Sequence, residues 1–434
     1  MKSYRLIMGL LCASITLLSL ACAPRNNSTS APFTSASNAS ETVAPDSENV
    51  FLGTPQGVGD GFFVRAQPWG TGKIVYVDAA TQKAYIACSQ AGCKHQDDLC
   101  PAYLGENANY AQYRDRFYAL QSNVTGTQYL LKSRSNADLS WKELWKKDAP
   151  DGSALSASVF LGGGFAVIAL EEIAYGTDSD ETSSRTYFSV IALDTESGAI
   201  KVLISKRLVP ELSSFSILGI ADGKAILYAV ETPANTPSYN EIINGMLNSG
   251  KTFEEAEKAA NQQINSVLTY SYTAIDLVTG ASKEIVSAGA DSFRPPADHT
   301  IVYKGNVFYY LLHEKEPDTI MMYCAATGAT TVLLERDHIG YFGGMDGKLF
   351  YIVMEDGKCW WNYTDLANGK SVEMLKNTGT ESVPLSIHCE CKDWLQGLTS
   401  DGQQVLIRKE DFYAEKFDRA VPFDYPAIAS KAGK

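Results

Sequence analysis

Apolar and polar residues alternate along most of this chain in short runs, and Gly, Asp, Asn and Thr punctuate the runs. Period-two alternation bounded by turn residues predicts half-buried β-strands. Two elements recur. The first is a polar turn inside a hairpin: "YVDAATQKAYIAC" at 76–88, "VIALDTESGAIKVLI" at 190–204, "YTAIDLVTGASKEIV" at 272–286, "MMYCAATGATTVLL" at 321–334 and "WNYTDLANGKSVEML" at 361–375. The shared frame is D-x-x-[TSN]-G, with Cys324 replacing the Asp once and Gln82 the Gly once. Asp bonds to nearby backbone and Gly accepts positive φ, so the frame is a turn with a mechanism. The second element is a Gly followed by an apolar-aromatic run ending in Glu: "GGFAVIALE" at 163–171, "GKAILYAVE" at 223–231, "GNVFYYLLHE" at 305–314, "GKLFYIVME" at 347–355 and "GQQVLIRKE" at 402–410.

Together the elements make units of four short strands, legible in 299–336 as "HTIVY", "NVFYYLLHE", "TIMMYCAA" and "TTVLLER". Gly280, Gly328 and Gly369 are 48 and 41 residues apart. Four strands every ~40–50 residues predict an all-β propeller of four-stranded antiparallel blades. About seven blades fit, starting near 60, 109, 155, 215, 299, 340 and 384; the spacing also accommodates six or eight. The double gap before Gly280 holds a predicted helical insertion at 238–268, where Thr252 and Glu255 form a capping-box pair. The first unit lacks a visible innermost strand and the last is incomplete. Closure is therefore expected by pairing terminal strands within one blade, with 404–418 supplying closing strands.

The first residues change the picture of where this domain works. Lys2 and Arg5 precede an apolar run over 6–20, which reads as a signal peptide at 1–21. Ser19-Leu20-Ala21-Cys22 follows the form of a bacterial lipobox with Cys22 as the lipidated residue, although an aliphatic residue is usual where Ser19 stands. The rival is cleavage after Ala21-Cys22-Ala23, which would leave Pro24 after the scissile bond. Residues 22–49, rich in Ser, Ala, Thr and Asn, read as a disordered tether, 50–425 as the propeller domain, and 426–434 as a disordered tail. The expected location is the extracytoplasmic face of the cell membrane, held by the lipid. The formal charge of −13 becomes −15 once the signal takes Lys2 and Arg5 away, which argues against nucleic acid as a partner.

Seven cysteines remain beyond Cys12 and Cys22: Cys88, Cys93, Cys100, Cys324, Cys359, Cys389 and Cys391. "CSQAGCKHQDDLC" at 88–100 gathers Cys88, Cys93, His95 and Cys100 at intervals usual for a Cys3His zinc site, which would be closed and hence structural. Extracytoplasmic cysteines commonly oxidise, so a disulfide or free thiols is the preferred reading, with structural zinc the alternative. No cofactor is required by either. Cys389 and Cys391 share one strand face and read as buried small apolar residues.

The lipobox, the Ser/Thr tether, the repeated turn frames and the C-x4-C-x-H-x4-C segment together resemble the β-propeller lipoproteins of Gram-positive gut bacteria, and the blades resemble TolB-like and pyrroloquinoline-type propellers. The resemblance covers about 60–420 and implies the fold; it implies no settled activity.

Catalytic signatures are absent from the sequence: no G-x-S-x-G elbow, Walker loop or H-E-x-x-H occurs. "SRSNADLSWKELW" at 133–145 faintly resembles a sialidase Asp-box, itself a turn device. Glu171, Glu231, Glu314, Glu355 and Glu410, which end the second element, are candidates for an acidic ring on one face suited to cationic peptides or amines; the plainer reading is that each solvates a strand end. Trp360-Trp361 with Tyr363 are candidates for a sugar platform, core packing being the plainer use. The leading expectation is a surface-anchored lipoprotein whose non-enzymatic propeller binds or scaffolds an unknown protein, peptide or glycan. The alternative is an extracellular hydrolase acting on a glycan or peptide.

Overall fold

In the computed structural model of the chain, each apolar run pairs with its nearest neighbour in sequence. The structure describes residues 49–65, 72–88, 90, 92–95, 100–105, 107–135, 140–175, 184–233, 235–289, 300–313, 317–374 and 385–423. Signal, tether, Cys22 and the tail from 424 lie outside them. A short strand β1 (Val50–Phe51) comes first. Blade 1 is β2 (Gln56–Val58), β3 (Gly61–Arg65), β4 (Ile74–Asp78) and β5 (Lys83–Ile86); blade 2 is β6 (Ala108–Tyr113), β7 (Arg116–Ser122), β8 (Gln128–Ser135) and β9 (Lys142–Asp148). Blade 3 is β10 (Ser153–Gly162), β11 (Phe165–Ala174), β12 (Arg185–Asp194) and β13 (Ile200–Val209); blade 4 is β14 (Ser214–Ala221), β15 (Lys224–Glu231), β16 (Thr269–Asp276) and β17 (Ser282–Gly289). Blade 5 is β18 (Thr300–Tyr303), β19 (Asn306–Leu311), β20 (Thr319–Cys324) and β21 (Ala329–Glu335). Blade 6 is β22 (Ile339–Met345), β23 (Lys348–Glu355), β24 (Lys358–Asp365) and β25 (Ser371–Glu373), and blade 7 is β26 (Leu385–Glu390), β27 (Trp394–Thr399), β28 (Gln404–Arg408) and β29 (Val421–Pro422). The protein is a seven-bladed propeller, as its sequence spacing predicts.

Local chemistry sets the hairpins. The Gly opening the second element is the second residue of a two-residue turn between first and second strands. In Asp222-Gly223, Lys304-Gly305 and Asp346-Gly347 both residues have positive φ, the geometry that continues the strand twist. The D-x-x-[TSN]-G frame joins third and fourth strands. In the Asp276 turn, Gly280 N–H donates to the Asp276 carbonyl (2.8 Å), while Oδ1 of Asp276 accepts from the amides of Val278 (3.1 Å) and Thr279 (2.6 Å). Gly280 closes the turn at φ +78°, and Gln82 takes the equivalent place at φ +59°.

Seven apolar clusters weld the blades pairwise, so both faces of each sheet are buried. This corrects the sugar-platform candidate. Trp360 packs towards blade 5 with Phe308 and Tyr310, whereas Trp361 packs towards blade 7 with Leu385 and Leu395 and donates Nε1–H to the Leu385 carbonyl (3.0 Å). Neighbouring strand residues point oppositely, and here both directions are core.

The closing seam also differs from the expectation. Every blade is one contiguous stretch, and blade 1 has its own innermost strand, β2. The ring is shut by packing: Phe62, Val64, Val75, Val77 and Ala79 of blade 1 meet Cys391, Leu406 and Phe423 of blade 7, and Lys392 N–H donates to the Gly59 carbonyl (3.2 Å). Residues 404–418 provide only the third strand, β28, followed by a short helix over Lys409–Tyr413, and β29 completes the blade. The terminal pairing strand is instead β1, which lies on the inner edge of blade 3 against β10. There Asn49 reaches two further blades, accepting from Ile220 N–H (2.9 Å) and donating to the Val302 carbonyl (3.2 Å), and Gly53 N–H donates to the Tyr110 carbonyl (3.1 Å).

Between β15 and β16 stand α1 (Tyr239–Asn248) and α2 (Phe253–Asn265), capped by Ser238–Glu241 and Thr252–Glu255 boxes. They share a small core of Ile242, Ile243, Ala260 and Ile264. The last helix, α3 (Lys409–Tyr413), follows β28. Antiparallel pairing gives the propeller two unlike ends. First-to-second and third-to-fourth connections lie on one face, the turn face, mostly as tight turns, with α3 between the third and fourth strands of blade 7. Second-to-third and blade-to-blade connections form a loop face, which carries the α1–α2 insertion and the cysteine segment.

Candidate functional site

The cysteine segment is the crossing from β5 to β6. It is tied back to blade 1: Ala87 N–H donates to the Ile74 carbonyl (2.9 Å), Ile74 N–H to the Ala102 carbonyl (2.9 Å), and Lys73 bridges Tyr103. A turn in which Tyr103 N–H donates to the Cys100 carbonyl (2.9 Å) leaves Cys100 buried beneath it. From the other side His95 adopts φ +54°, a conformation few non-glycine residues adopt, and turns towards the sulfurs.

The outcome is that all four sequence candidates come together. One ligand atom each from Cys88, Cys93, His95 and Cys100 lies within 4.8 Å of every other. Nδ1 of His95 is 3.3 Å from Sγ of Cys100, and His95 N–H points to Sγ of Cys93 at 3.4 Å. All seven described cysteines are free thiols. A tetrahedral zinc with bonds of about 2.3 Å to sulfur and 2.0 Å to nitrogen places its ligand atoms about 3.5–3.8 Å apart, so the group needs to contract by about 1 Å at most. Burial pushes the Cys100 thiol up to about 12 and raises Cys88, while burial and the nearby Lys73 lower His95. Neutral imidazole is the form that ligates, and a divalent ion is what would ionise such thiols. The donor set therefore fits zinc, with no position left open for a substrate.

Cys389 and Cys391 lie apart from this corner. They pack into the blade 7–blade 1 seam, on the other side of blade 1.

The five glutamates are not brought together on one face. Glu231 ends β15 and Glu355 ends β23, both on the loop face, with Glu171 three residues inside the end of β11. Glu410 sits in α3 after a third strand, which places it on the turn face; Glu314 lies outside the described residues. Gly402 opens a third strand, not a second, so the last repeat was out of phase in the sequence comparison. Arginines accompany three of the four: Arg207 pairs with Glu231, Arg336 with Glu355 (3.7 Å) and Arg408 with Glu410 (3.8 Å).

Glu171 is the exception. It follows Val167 and Ala169 on the blade 4 side of β11, it is half-buried, and burial raises its carboxyl above the ordinary range. Its neighbour Glu172 faces the other way and pairs with Lys206 (2.8 Å). The loop face also has a polar groove of about 360 Å³ between blades 2 and 3, lined by Asn123, Thr127, Gln128 and residues 148–153. The Asp-box-like stretch lies in the β8–β9 connection, and its Asn136 and Asp138 fall outside the described residues.

No protein-family model and no curated protein matches the chain. Solved structures do. The propeller domain of the Trilobed protease from Pyrococcus furiosus is 12% identical, with 87% of this chain and 99% of that chain covered and a TM-score of 0.44. A puromycin-hydrolyzing peptidase from Mycobacterium tuberculosis is 13% identical, with 88% and 55% covered and a TM-score of 0.46. TolB from Acinetobacter baumannii is 13% identical, with 82% and 78% covered and a TM-score of 0.29. The chain spans about half the length of the puromycin-hydrolyzing peptidase. Such likeness speaks to the fold alone, but it corrects one expectation. The same architecture occurs in peptidases, so a propeller gives no ground for preferring a non-enzymatic binding or scaffolding role, and that reading is withdrawn.

Proposed function

We propose that this chain is an extracytoplasmic propeller whose first-to-second blade crossing is clasped by a structural zinc ion, and whose loop face takes part in hydrolysis of a peptide or glycan. The observation that carries the zinc assignment is the convergence of three thiols and one imidazole within 4.8 Å. Cys88, Cys93, His95 and Cys100 would hold the ion, which supplies a cross-link in place of a core. The purified mature protein is expected to contain one zinc per chain, lost on Cys93→Ser. Zinc-free protein with oxidised cysteines at 88, 93 or 100 would refute it.

The hydrolytic reading is supported by a separate feature. The second-to-third strand connection of blade 4, residues 232–268, is the longest of its kind in the propeller, and Glu171 lies near the end of β11, which leads into the corresponding connection of blade 3. Burial shifts the Glu171 carboxyl upward, the direction a general acid needs. Turnover of a fluorogenic peptide or glycan panel, abolished by Glu171→Gln, is the expected result. Turnover unaffected by that change, or none across the panel, removes the assignment.

Lipidation at Cys22 completes the proposal, placing the protein in a bacterial lipoprotein family of the Gram-positive gut type and tethering it to the outer side of the cell membrane. Among the described residues no helix is long and apolar enough to cross a membrane. Incorporation of labelled palmitate that disappears in Cys22→Ser tests the anchor.

A further inference from the structure

Beside the cysteine cluster lies a cation with no ordinary reason to be buried. Arg134, near the end of β8, is 4% exposed. Its guanidinium carbon stacks 4.8 Å from the Phe117 ring centroid and 5.4 Å from that of Trp141. Phe117 and Trp141 belong to the apolar cluster that contains Cys100 and borders Cys88 and Cys93. Among the described residues no carboxylate pairs with Arg134, and its Nε–H has no hydrogen-bond partner. Burial lowers its pKa, and among the described residues the sulfurs of Cys100 and Cys88 oppose that shift. Lys73, 9% exposed and bridged to Tyr103, stands within reach of Cys100 as well.

Among the described residues only the sulfurs offer these two buried cations a countercharge, and protonated thiols or a disulfide would leave the cost of burying them uncompensated there. Their placement makes sense if the sulfurs are ionised. Three thiolates, a neutral imidazole and a divalent ion leave one net negative charge. We infer that Arg134 is the fixed countercharge of an anionic metal–tristhiolate centre at Cys88, Cys93, His95 and Cys100, with Lys73 as a second, outer cation. The two aromatic rings hold the guanidinium in place without neutralising it, so its charge is kept for the sulfurs. Arg134 would be a positioning and charge-balancing residue, not a ligand.

This inference rests on the zinc reading, and the experiment separates the two. Wild-type protein, Arg134→Met, Arg134→Lys and the exposed-site control Lys142→Met are titrated with a chromophoric zinc chelator, and the melting temperature of each is read with and without zinc. Wild type is expected to take up one zinc. Arg134→Met should bind it about 10- to 100-fold more weakly, the usual effect of losing an outer-shell partner, with Arg134→Lys between and Lys142→Met unchanged. The sign of the melting shift is the second readout. Without zinc, Arg134→Met should melt no lower than wild type, because an uncompensated charge has been removed; with zinc it should melt lower. If wild type binds no zinc, the metal reading falls and the inference with it. If wild type binds zinc and Arg134→Met matches its affinity, or melts lower than wild type in the metal-free state, the countercharge role alone is refuted.

Discussion

The seam between blades 7 and 1 is the place where a single methyl group should matter most. A Cβ added at Gly57 in β2 would lie 1.5 Å from the Glu390 carbonyl oxygen, 2.3 Å from its carbon and 2.8 Å from the Cys391 nitrogen. All three are backbone atoms, so no side-chain rotation relieves the clash. Restoring an ordinary carbon–oxygen separation of about 3.3–3.6 Å requires β2 and β26 to part by about 2 Å. That displacement breaks the 3.2 Å bond from Lys392 to Gly59 and opens the apolar contact of Phe62 and Val64 with Cys391 and Leu406. Overpacking costs about 1–3 kcal/mol, and the loss of an exposed backbone bond about a further 0.5–1.5 kcal/mol. Gly57→Ala should therefore destabilise by about 1.5–4.5 kcal/mol, a large share of the ~5–15 kcal/mol total expected of a domain. Urea denaturation with native-state hydrogen exchange reads both consequences: a lower midpoint, and faster exchange confined to β2, β26 and their neighbours. Gly245→Ala in α1, where the added Cβ meets nothing within 4 Å, is the control and should be neutral or slightly stabilising. A wild-type midpoint for Gly57→Ala, or loss of protection spread evenly over the blades, would refute the claim that packing at this seam closes the ring.

Three further changes probe the turns and the half-buried charges. Gln82→Gly should stabilise by about 0.5–1 kcal/mol, seen as a higher denaturation midpoint, because Gln82 holds φ +59° where the other turns have Gly. Asp276→Ala should destabilise by roughly 1 kcal/mol, as for a lost cap, and should flatten the acid limb of the stability curve. Backbone and side-chain bonds from Thr279 hold the folded Asp276 carboxyl below its ordinary value, so its contribution is present above the unfolded carboxylate pKa and is lost as pH falls through the folded one. Lys409→Met should cost about 1–3 kcal/mol at neutral pH, since Nζ of Lys409 lies 2.6 Å from Glu390 and 3.2 Å from Asp346 in a half-buried network. Burial disfavours the Lys409 charge, but the two carboxylates outweigh it and raise its pKa, while Tyr413, Lys348 and Lys409 overcome burial to lower Asp346. The wild-type stabilisation is thus present below the unfolded lysine pKa and lost as pH rises through the folded one; the mutant's penalty should shrink in acid as the carboxylates take up protons.

What was legible in the sequence was what is local. The starts of blades 2 to 7, the third-to-fourth strand turns carrying the Asp frame and the capping box at Thr252 each depend on residues within a few positions of one another, and each stands where the pattern put it. Cys88, Cys93, His95 and Cys100 were legible for the same reason. The misreadings are non-local or interrupted. β2 is three residues long and carries Gly57, so it shows no alternation, and its role as an innermost strand is set by contact with residues 390 and 391. β27 carries Gly397, whose Cβ would meet the Ser386 carbonyl at 2.3 Å; this broke the apolar run and shifted the last repeat onto Gly402 and Glu410. Arg134 carried no signal at all, because an arginine on a strand looks solvated until the partner blade covers it.

The position of β1 bears on what holds the ring together away from its seam. A propeller closed by packing alone has a seam between unlinked ends, and strain on the ring concentrates there. Here the segment entering at Asn49 bonds to blades 5 and 4 through its side chain, to blade 3 through β1, and to blade 2 through Gly53. Four consecutive blades are thereby tied from inside, away from the seam. Because β1 runs antiparallel to β10, Asn49 lies towards the turn face, and the strand occupies the inner edge on that side. The loop face, with Glu171 and the cysteine corner, lies at the opposite end of β10 from Asn49, so the hydrolytic reading proposed above involves the end of the propeller that this strand does not hold.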